Sequence, residues 1–499
     1  MPVNAPSTSR YLEVERKFDV GESTPSPSFA GIAQIARAER AKTQALDAVY
    51  FDTPARDLAS NRITLRRRTG GVDAGWHLKL PAGPDARTEV RAPLGTTNGD
   101  GADHDVPTEL LDVVLAIVRD RPVSPVARIS TTREVHLLYG ADGTVLAEFC
   151  DDRVTAGLGA DGSTAEQRWR EWELELVGTD ADTELMDTLC GRLLDSGAKP
   201  AGHGSKLARV LDTSQSGERG RPADPLHRAL AEQLDELLVW DRAVRAETDD
   251  AVHQMRVTTR KIRSLLQAAP DSFGLDQDTS IVDELRELAN LLGVARDAEV
   301  LAERYRTALD DLPPELVRGP IRERLVEGAQ HRYRTGLRYS LATLRLPRYF
   351  RLLDDLEALV AKAPPTDREP AQVTVAAAGK KVRKAAKAAR RAADATSRDD
   401  AIHTIRKRAK RLRYTAAATG AKKVSKRAKK LQSLLGDHQD SVVSRAHLTQ
   451  QADAAYAAGE DTFTYGLIYR QEADVALSCR RQLEPALRKL DKSVRKLSS

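Results

Sequence analysis

Charged side chains alternate along the segment YLEVERKFDV, residues 11–20, near the start of the chain. Glu13, Glu15 and Lys17 occupy every second position, and residues two apart share one face of a β-strand. Two carboxylates and one ammonium on one face form either a solvated outer side or part of a charged interior. Carboxylate oxygens are the hard ligands that Mg²⁺ and Mn²⁺ prefer, so an interior position would suit a metal site.

Complementary charges share one face in four further segments. They are Thr64, Arg66 and Arg68; His77 and Lys79; Arg87, Glu89 and Arg91; and Glu171, Glu173 and Glu175. A solvated face explains any one of these strands, but carboxylates on the first and last segments and bases on the middle ones favour a common interior. Such an interior is costly to dehydrate when it is empty. A polyphosphate with divalent cations would neutralise it, because arginine binds phosphate oxygens bidentately.

Short alternating segments between Gly, Asp and Pro residues predict the strands that position these side chains. They are residues 48–53, 62–70, 75–80, 86–94, 135–140, 144–150 and 170–177. With the opening segment they make roughly eight strands, which predicts an antiparallel sheet closed into a barrel or tunnel. Helical patterns at about 106–119 and 181–196 flank these strands.

The strand segments resemble the CYTH family, the triphosphate tunnel metalloenzymes, over about residues 10–210. The resemblance rests on ExExK at 13–17, YFDT at 50–53, LRRR at 65–68, LKL at 78–80, RTEVR at 87–91, DDRV at 151–154 and SKLARV at 205–210. Members of the family are inorganic triphosphatases, thiamine triphosphatases, adenylate cyclases or RNA triphosphatases. The resemblance therefore implies a triphosphate ligand and an Mg²⁺ or Mn²⁺ cofactor, while no motif identifies adenine or thiamine.

The resemblance also implies roles for individual residues. The implied metal ligands are Glu13, Glu15, Glu173, Glu175 and an aspartate of DDRV, where alternation from Glu148 favours Asp152 over Asp151. The implied triphosphate contacts are Lys17, Arg66, Arg68, Lys79, Arg91, Arg133 and Lys206, with Arg128 as an alternative to Arg133. The candidate catalytic residues are Glu15, Glu173 and Lys17. A bound metal, Glu15 or Glu173 would activate the water that attacks phosphorus, and the choice among them stays open.

Helical periodicity extends over residues 226–495, after a polar segment, 212–225, that predicts a linker. Residues 1–215 contain 25 Lys and Arg against 33 Asp and Glu, whereas the remainder contains 53 against 40. A basic half of this kind suggests a polyanionic partner. The expected architecture is therefore α+β with two domains: an N-terminal antiparallel barrel with flanking helices over 8–211, and C-terminal all-α helical bundles over 226–495.

Two similar pairs of segments in the helical half imply two pseudo-repeats. HQMRVTTRKIR begins at 253 and HTIRKRAKRLRY at 403, and LLGVARDAEV at 291–300 corresponds to LLGDHQDSVV at 434–443. Helical spacing places four basic residues of each first segment on one face. These two basic stripes are His253, Arg256, Arg260 and Arg263, and His403, Arg406, Lys410 and Arg413. Acidic residues at i+4 are largely missing, which favours a polyanion ligand over a merely solvated face.

The repeats resemble the CHAD domain, a helical module associated with inorganic polyphosphate, over about residues 222–495. The resemblance implies that both stripes bind inorganic polyphosphate or tripolyphosphate, with His438 as a further candidate. DNA or RNA is the competing partner, although few tyrosines accompany the basic residues. Metal binding by the histidines is the weaker interpretation, because neighbouring Arg and Lys repel a cation. Histidine protonation near ~6.5 predicts stronger polyphosphate binding at mildly acidic pH.

Composition favours a cytoplasmic protein. No segment approaches about 18 apolar residues, and Cys150, Cys190 and Cys479 are far apart, as in proteins of a reducing compartment. We expect no membrane partner and a cytoplasmic location, with polyphosphate granules as a place of association. The expected function is metal-dependent hydrolysis of inorganic triphosphate or polyphosphate ends, with polyphosphate binding by the helices. The alternatives are a non-catalytic polyphosphate-binding or granule-targeting protein, an adenylate cyclase, and a thiamine triphosphate hydrolase.

Overall fold

The structure is a computed structural model that describes residues 9–83, 85–94, 105–178, 182–211, 222–275, 280–362 and 375–498. Most of the predicted linker, residues 212–221, lies outside the described residues. The chain divides into two compact units. The first is Met1–Ala223 with Asp241–Thr248 and Leu344–Asp354, and the second is Asp224–Trp240, Asp249–Thr343 and Asp355–Ser499.

The first unit contains, within its described residues, one antiparallel sheet of ten strands. They are β1 Ser9–Val20, β2 Arg37–Arg40, β3 Gln44–Asp52, β4 Thr64–Thr69, β5 Gly75–Pro81, β6 Ala86–Ala92, β7 Ser124–Tyr139, β8 Val145–Leu158, β9 Thr164–Leu176 and β10 Lys199–Pro200. Eight strands follow the order β1-β6-β5-β4-β3-β7-β8-β9, and β9 pairs with β1 to close the barrel. The predicted closed antiparallel barrel is confirmed.

Short helices accompany the barrel. They are α1 Asp57–Ser60, α2 Thr108–Val113, α3 Leu115–Val118, α4 Thr183–Asp195 and α5 Lys206–Val210. α4 begins after Asp182, whose carboxylate accepts hydrogen bonds from the backbone N–H groups of Glu184 and Leu185, as an N-cap residue does. The two helical patterns predicted near the strands correspond to α2 with α3 and to α4.

The apolar core of this unit lies largely on the outer side of the barrel. Trp172 and Leu174 of β9 alternate with the glutamates and are fully buried in one cluster with Leu189 of α4. Burying an apolar side chain of this size stabilises the fold by roughly 1.5–3 kcal/mol. Because successive side chains of a strand point to opposite faces, sealing the apolar face under α4 directs the charged face into the barrel.

The second half of the chain is helical throughout its described residues, as predicted. The helices are α6 Pro225–Arg245, α7 Ala251–Ala268, α8 Ile281–Asp310, α9 Gly328–Thr343, α10 Pro347–Ala361, α11 Val375–Arg391, α12 Ala395–Ala418, α13 Lys422–Ala457 and α14 Phe463–Ser498. The first repeat is carried by α7 and α8, and the second by α12 and α13. Apolar faces of the last four helices meet in one core that includes Val382, Ile405, Leu435 and Leu490.

No helix of the described residues is both long enough and apolar enough to cross a bilayer.

Candidate functional site

The barrel encloses a cavity of about 290 Å³. Its wall includes every predicted triphosphate contact and four of the five predicted metal ligands. The ligands in the wall are Glu13, Glu15, Glu173 and Glu175, and the contacts are Lys17, Arg66, Arg68, Lys79, Arg91, Arg133 and Lys206. The fifth, Asp152, is fully buried and pairs with Arg133 and Lys206 rather than lining the cavity.

Three glutamates lie side by side across three neighbouring strands. Glu15 of β1 is the register partner of Glu175 of β9, which is in turn the partner of Glu148 of β8. Like charges directly opposite each other destabilise a sheet. Burial, together with the charge of nearby Glu13, raises the pKa of Glu175 to about 7. This part of the wall, the acidic end of the cavity, is therefore short of positive charge.

Lysines neutralise only part of the acidic end. Lys17 Nζ lies 3.0 Å from a Glu15 oxygen and also bonds Glu173, and Lys79 pairs with Glu13. Burial by itself would raise the pKa of Glu15, but the ammonium groups of Lys17 and Lys79 lower it to about 2. Glu175 has no ionic partner among the residues that the structure describes.

The ammonium of Lys206 lies at the centre of three other carboxylates. Its Nζ is 2.8 Å from Asp152 and 2.7 Å from both Glu171 and Glu173. These three carboxylates are close enough to one another to hold a metal ion. An ammonium has three N–H donors, however, and Lys206 points them at this triad. Lys206 is therefore already a cation within the triad, and the acidic end, where Glu175 is unpaired, is a second place that could hold a metal.

Arginines dominate another part of the cavity wall. Arg66 and Arg68 of β4 and Arg133 of β7 lie close together, and burial with the charges of Arg66 and Arg133 lowers the pKa of Arg68 to about 9. The Nε groups of Arg66 and Arg68 are buried without a hydrogen-bond acceptor among the described residues. An anion with several oxygens would satisfy these donors and offset the mutual repulsion. We call this part the arginine end.

The two basic stripes of the helical half face each other. Burial, then the charges of Arg256 on its own helix α7 and of Arg406 on α12, lower the pKa of Arg260. Burial and the arginines at 260, 406, 263 and 413 lower the pKa of Lys410 to about 7. Four of these cations form no ion pair with a described carboxylate: Arg260, Arg263, Arg406 and Lys410. Two helices thus present one concentrated positive surface, with Asp297 beside Arg256 and Asp440 near Arg406.

A glycine lies beneath the same arginine in each repeat. A Cβ at Gly293 would lie 3.2 Å from the guanidinium of Arg256, and a Cβ at Gly436 would lie 3.6 Å from that of Arg406. Arg256 Nε also donates a hydrogen bond to the backbone oxygen of Ala289 at 3.2 Å. Gly293 therefore gives Arg256 room to lie against α8, whereas at Gly436 a Cβ would make an ordinary contact with Arg406.

Both halves match known protein families. The family model described as CYTH domain matches residues 12–188, and the one described as CHAD domain matches residues 228–449. The chain is a CYTH–CHAD protein. Two relatives from Mycobacterium tuberculosis, Uncharacterized protein Rv2226 of strain ATCC 25618 / H37Rv and Uncharacterized protein MT2285 of strain CDC 1551 / Oshkosh, are each 66% identical over 515 residues and cover 99% of both chains.

A solved structure is similar as well. The crystal structure of the CHAD domain from the plant Ricinus communis is 24% identical, with a TM-score of 0.40, over 54% of this chain and 90% of that chain. The resemblance of the sequence to the CYTH and CHAD families is confirmed by the two family matches.

The alternative residues of the CYTH motifs, Arg128 or Arg133 and Asp151 or Asp152, lie in different environments. Arg128 lies at the surface, where its Nη2 is 2.8 Å from Asp47, whereas Arg133 lines the cavity. Asp151 pairs with Arg170 and accepts a hydrogen bond from Ser26, away from the cavity lining. Arg133 is thus the arginine of β7 that a cavity ligand can reach, and Asp152 is the aspartate that belongs to the charged interior.

Some residues of the CYTH interior were absent from the predicted site. Arg87, Glu89 and Glu148 line the cavity, and Glu171 completes the carboxylate triad around Lys206. Alternation within their strands already placed Glu89 and Glu171 on the charged face, so the signal was present in the sequence. Alternation also placed Arg87 on that face, and it placed Glu148 on the face of Asp152.

The CHAD histidines occupy different environments. His253 and His403 are half-buried, and burial followed by nearby arginine or lysine charge lowers the pKa of each. His438 is 1% exposed and accepts a hydrogen bond from Arg480 Nε at 3.1 Å. The structure therefore brings His253 and His403 to the basic surface but does not bring His438 there.

Proposed function

We propose that the CYTH barrel hydrolyses inorganic triphosphate or the ends of inorganic polyphosphate with the help of a divalent metal, and that the CHAD helices bind polyphosphate. The observation that carries the proposal is the cavity of about 290 Å³ with an acidic end and an arginine end. A phosphate chain would find donors among the arginines of such a wall, and a cation would find oxygen ligands among its carboxylates.

The acidic end fits a hard divalent cation. Its donors are the carboxylates of Glu13, Glu15 and Glu175, with Glu148 beside them, and Mg²⁺ and Mn²⁺ prefer oxygen ligands of this kind. Burial, and then the charges of Glu13 and Glu15, raise the pKa of Glu175, and a bound cation would offset both effects. When bound, Mg²⁺ or Mn²⁺ would supply charge neutralisation and a more acidic water.

The protein's own side chains would hold the phosphate chain. Arg66, Arg68 and Arg133 offer donors at the arginine end, and Lys17, Lys79 and Arg91 offer charge along the wall. Phosphoryl transfer depends mainly on positioning and charge neutralisation. Glu15 and Glu173 remain the candidates for accepting a proton from the attacking water, although lysines lower the pKa of both against the effect of burial. That lowering suits them better to holding cations.

The cavity lining favours an inorganic substrate. Among the described residues of the wall, Tyr50 is the one aromatic side chain, and it is 3% exposed and accepts a hydrogen bond from Arg66 Nη1 at 3.3 Å. Adenine and thiamine are flat rings that proteins commonly bind by stacking on aromatic faces. The wall is charged instead, so tripolyphosphate is the expected substrate and ATP or thiamine triphosphate the poorer ones.

Turnover by the purified full chain tests the barrel function. With Mg²⁺ or Mn²⁺ we expect phosphate release to be fastest from tripolyphosphate and slower from ATP, thiamine triphosphate and long polyphosphate, and we expect chelation of the metal to stop it. Cyclic nucleotide formation from ATP would favour the cyclase alternative. Absence of turnover of all four compounds, with polyphosphate binding retained, would leave the non-catalytic binding protein.

Binding measurements test the helical function. Replacing Arg260 and Arg406 with glutamine should weaken polyphosphate binding and reduce the slope of log affinity against log salt by about one for each phosphate group that no longer binds an arginine. Lys261→Gln is the matched control, because Lys261 lies on the same helix but pairs with Glu236 at 3.1 Å. Tighter binding of duplex DNA than of polyphosphate at equal salt would assign the surface to nucleic acid.

A further inference from the structure

The second repeat contains a separate cavity away from the two stripes. It has a volume of about 590 Å³ and is lined at the start of α13 by Lys422, Lys423 and Arg427, and near the end of α14 by Lys489, Lys492 and Lys496. None of these residues belongs to a basic stripe. The apolar remainder of the wall, which includes Val424 and Leu497, provides the floor and edge. Cavities of this volume accommodate small-molecule ligands.

The wall of this lysine pocket contains six basic residues and no acidic one among the described residues. No ion pair joins any of its five lysines to a described carboxylate. Other basic residues near α14 behave differently: Arg383 of α11 and Arg495 of α14 each lie 2.8 Å from Asp491, and Arg390 of α11 lies 2.7 Å from Glu484. The acids of α14 therefore neutralise these three arginines, while the lysines of the pocket keep their charge.

One of the six cations is fixed in place. Arg427 Nη1 donates a hydrogen bond to the backbone oxygen of Lys489 at 2.6 Å, which joins α13 to α14 across the pocket. The three lysines of α14 follow at spacings of three and four residues, so they project from one face of the helix. Lys422 and Lys423 belong to the first turn of the 36-residue α13, where the helix dipole adds positive potential.

We propose that this lysine pocket is a second anion site, which takes a compact anion carrying several phosphate groups. Six positive charges around one cavity require a ligand with comparable charge in a small volume, and ammonium groups bind phosphate as point charges. An extended polymer suits the long stripes better than this compact group of exposed lysines. Short polyphosphates and organic polyphosphates such as inositol hexakisphosphate share this chemistry. The proposal does not depend on hydrolysis in the barrel.

Lysine acetylation of the full-length protein, read residue by residue with mass spectrometry, tests the proposal. Tripolyphosphate, and in a second arm inositol hexakisphosphate, should slow acetylation of Lys422, Lys423, Lys489, Lys492 and Lys496. Lys426, Lys429 and Lys430 are the internal controls, because they are exposed on the same helix α13 but do not line the pocket. If only one of the two anions protects the pocket lysines, that result would identify the ligand as an inorganic or an organic polyphosphate.

A variant separates this pocket from the stripes. The triple substitution Lys489→Gln, Lys492→Gln and Lys496→Gln should abolish protection of Lys422 and Lys423 while Lys410 stays protected by long polyphosphate. The matched triple Lys426→Gln, Lys429→Gln and Lys430→Gln should leave protection unchanged. Equal acetylation of pocket and control lysines with either anion, or protection by duplex DNA alone, would overturn the proposal. Loss of protection at Lys410 alone would count against the stripes and leave the pocket standing.

Discussion

The barrel and the helical surface both concentrate arginine and lysine, but they differ in what neutralises these cations. In the barrel, Lys17 bonds two carboxylates and Lys206 bonds three. On the helical surface, Arg260 and Lys410 lie among other cations, with the Tyr414 ring near both of them.

This difference indicates two kinds of ligand. A wall of paired charges can bind an anion and a cation together, because each added charge finds an opposite one already in place. A surface of unpaired cations binds anions alone, and its affinity falls steeply with salt as bound counterions compete. Removing one charge should therefore destabilise the barrel, where it leaves a partner unpaired. It should stabilise the helical domain, where it relieves repulsion between cations.

The largest expected effect is on turnover in the barrel. The double substitution Glu13→Gln and Glu15→Gln removes two carboxylates of the acidic end, and a lost metal site costs several kcal/mol of transition-state stabilisation. Phosphate release from tripolyphosphate should fall at least about 10³-fold, while polyphosphate binding by the helices stays the same.

Glu22→Gln is the control for this double variant, because Glu22 is exposed and lies outside the cavity lining. Turnover should match that of the unmodified protein. If the double variant kept turnover within a few fold of the unmodified chain, the acidic end would not be the metal site.

The next largest effect is on stability, and it should differ between two arginines of strand β7. Arg133→Gln removes a guanidinium that bonds the fully buried Asp152 at 2.7 Å and also Glu173. Breaking a buried ion pair on one side costs about 3 kcal/mol or more. Arg128→Gln breaks an exposed pair with Asp47, which contributes at most about 1 kcal/mol. Urea unfolding of both variants measures the difference, and equal losses would show that the interior pairs are as well hydrated as surface ones.

A smaller effect concerns pH on the helical surface. Burial and four arginines lower the pKa of Lys410 to about 7: Arg260 and Arg263 from α7, and Arg406 and Arg413 from its own helix α12. Lys410 therefore loses its proton as the pH rises from 6 to 8, and polyphosphate affinity should fall a few fold. Lys410→Arg keeps the charge and should remove most of this dependence, which titration calorimetry at both pH values measures.

Stability should change with pH in the opposite sense. The pKa of Lys410 is lowered on folding, so between about pH 7 and 10 the unfolded chain holds the extra proton and the free energy of unfolding rises with pH. Lys410, rather than the two histidines, is the expected source of pH-dependent polyphosphate binding near neutrality, because burial lowers the pKa of His253 and His403. Equal affinity at pH 6 and 8 would exclude Lys410 from the binding surface.

Alternation was sufficient to predict the barrel wall. Charged and apolar residues alternate strictly around Glu13 and Glu173, so the face and its neighbours could be assigned from the sequence. The first half of β7, residues 124–134, was missed because serine, threonine and arginine replace the apolar residues that mark a strand. Its strand character comes from pairing with β8, the next strand, and with β3, which is distant in sequence.

Interactions between distant segments explain what the sequence could not predict in the sites. Lys206 reaches the triad at Asp152 because α5 packs its apolar residues Leu207 and Val210 into the cluster with Ile129. His438 matches the basic pattern by spacing, but Arg480 from α14 covers it. The meeting of Arg260 with Arg406 likewise depends on how α7 and α12 are arranged, which neither repeat encodes alone.

The smallest expected effect comes from adding one carbon atom, which should weaken polyphosphate binding without lowering stability. Gly293→Ala should favour the helix by up to about 1 kcal/mol, because alanine is the better helix former. Its Cβ would lie 3.2 Å from the Arg256 guanidinium, whereas in Gly436→Ala the corresponding distance to Arg406 is 3.6 Å, an ordinary separation. Gly293→Ala should therefore keep or raise stability yet weaken polyphosphate binding about two- to threefold, since an arginine forced aside binds its phosphate group less well. Gly436→Ala should gain similar stability without weaker binding, and equal affinities for the two variants would mean that the glycine beneath Arg256 does not position it.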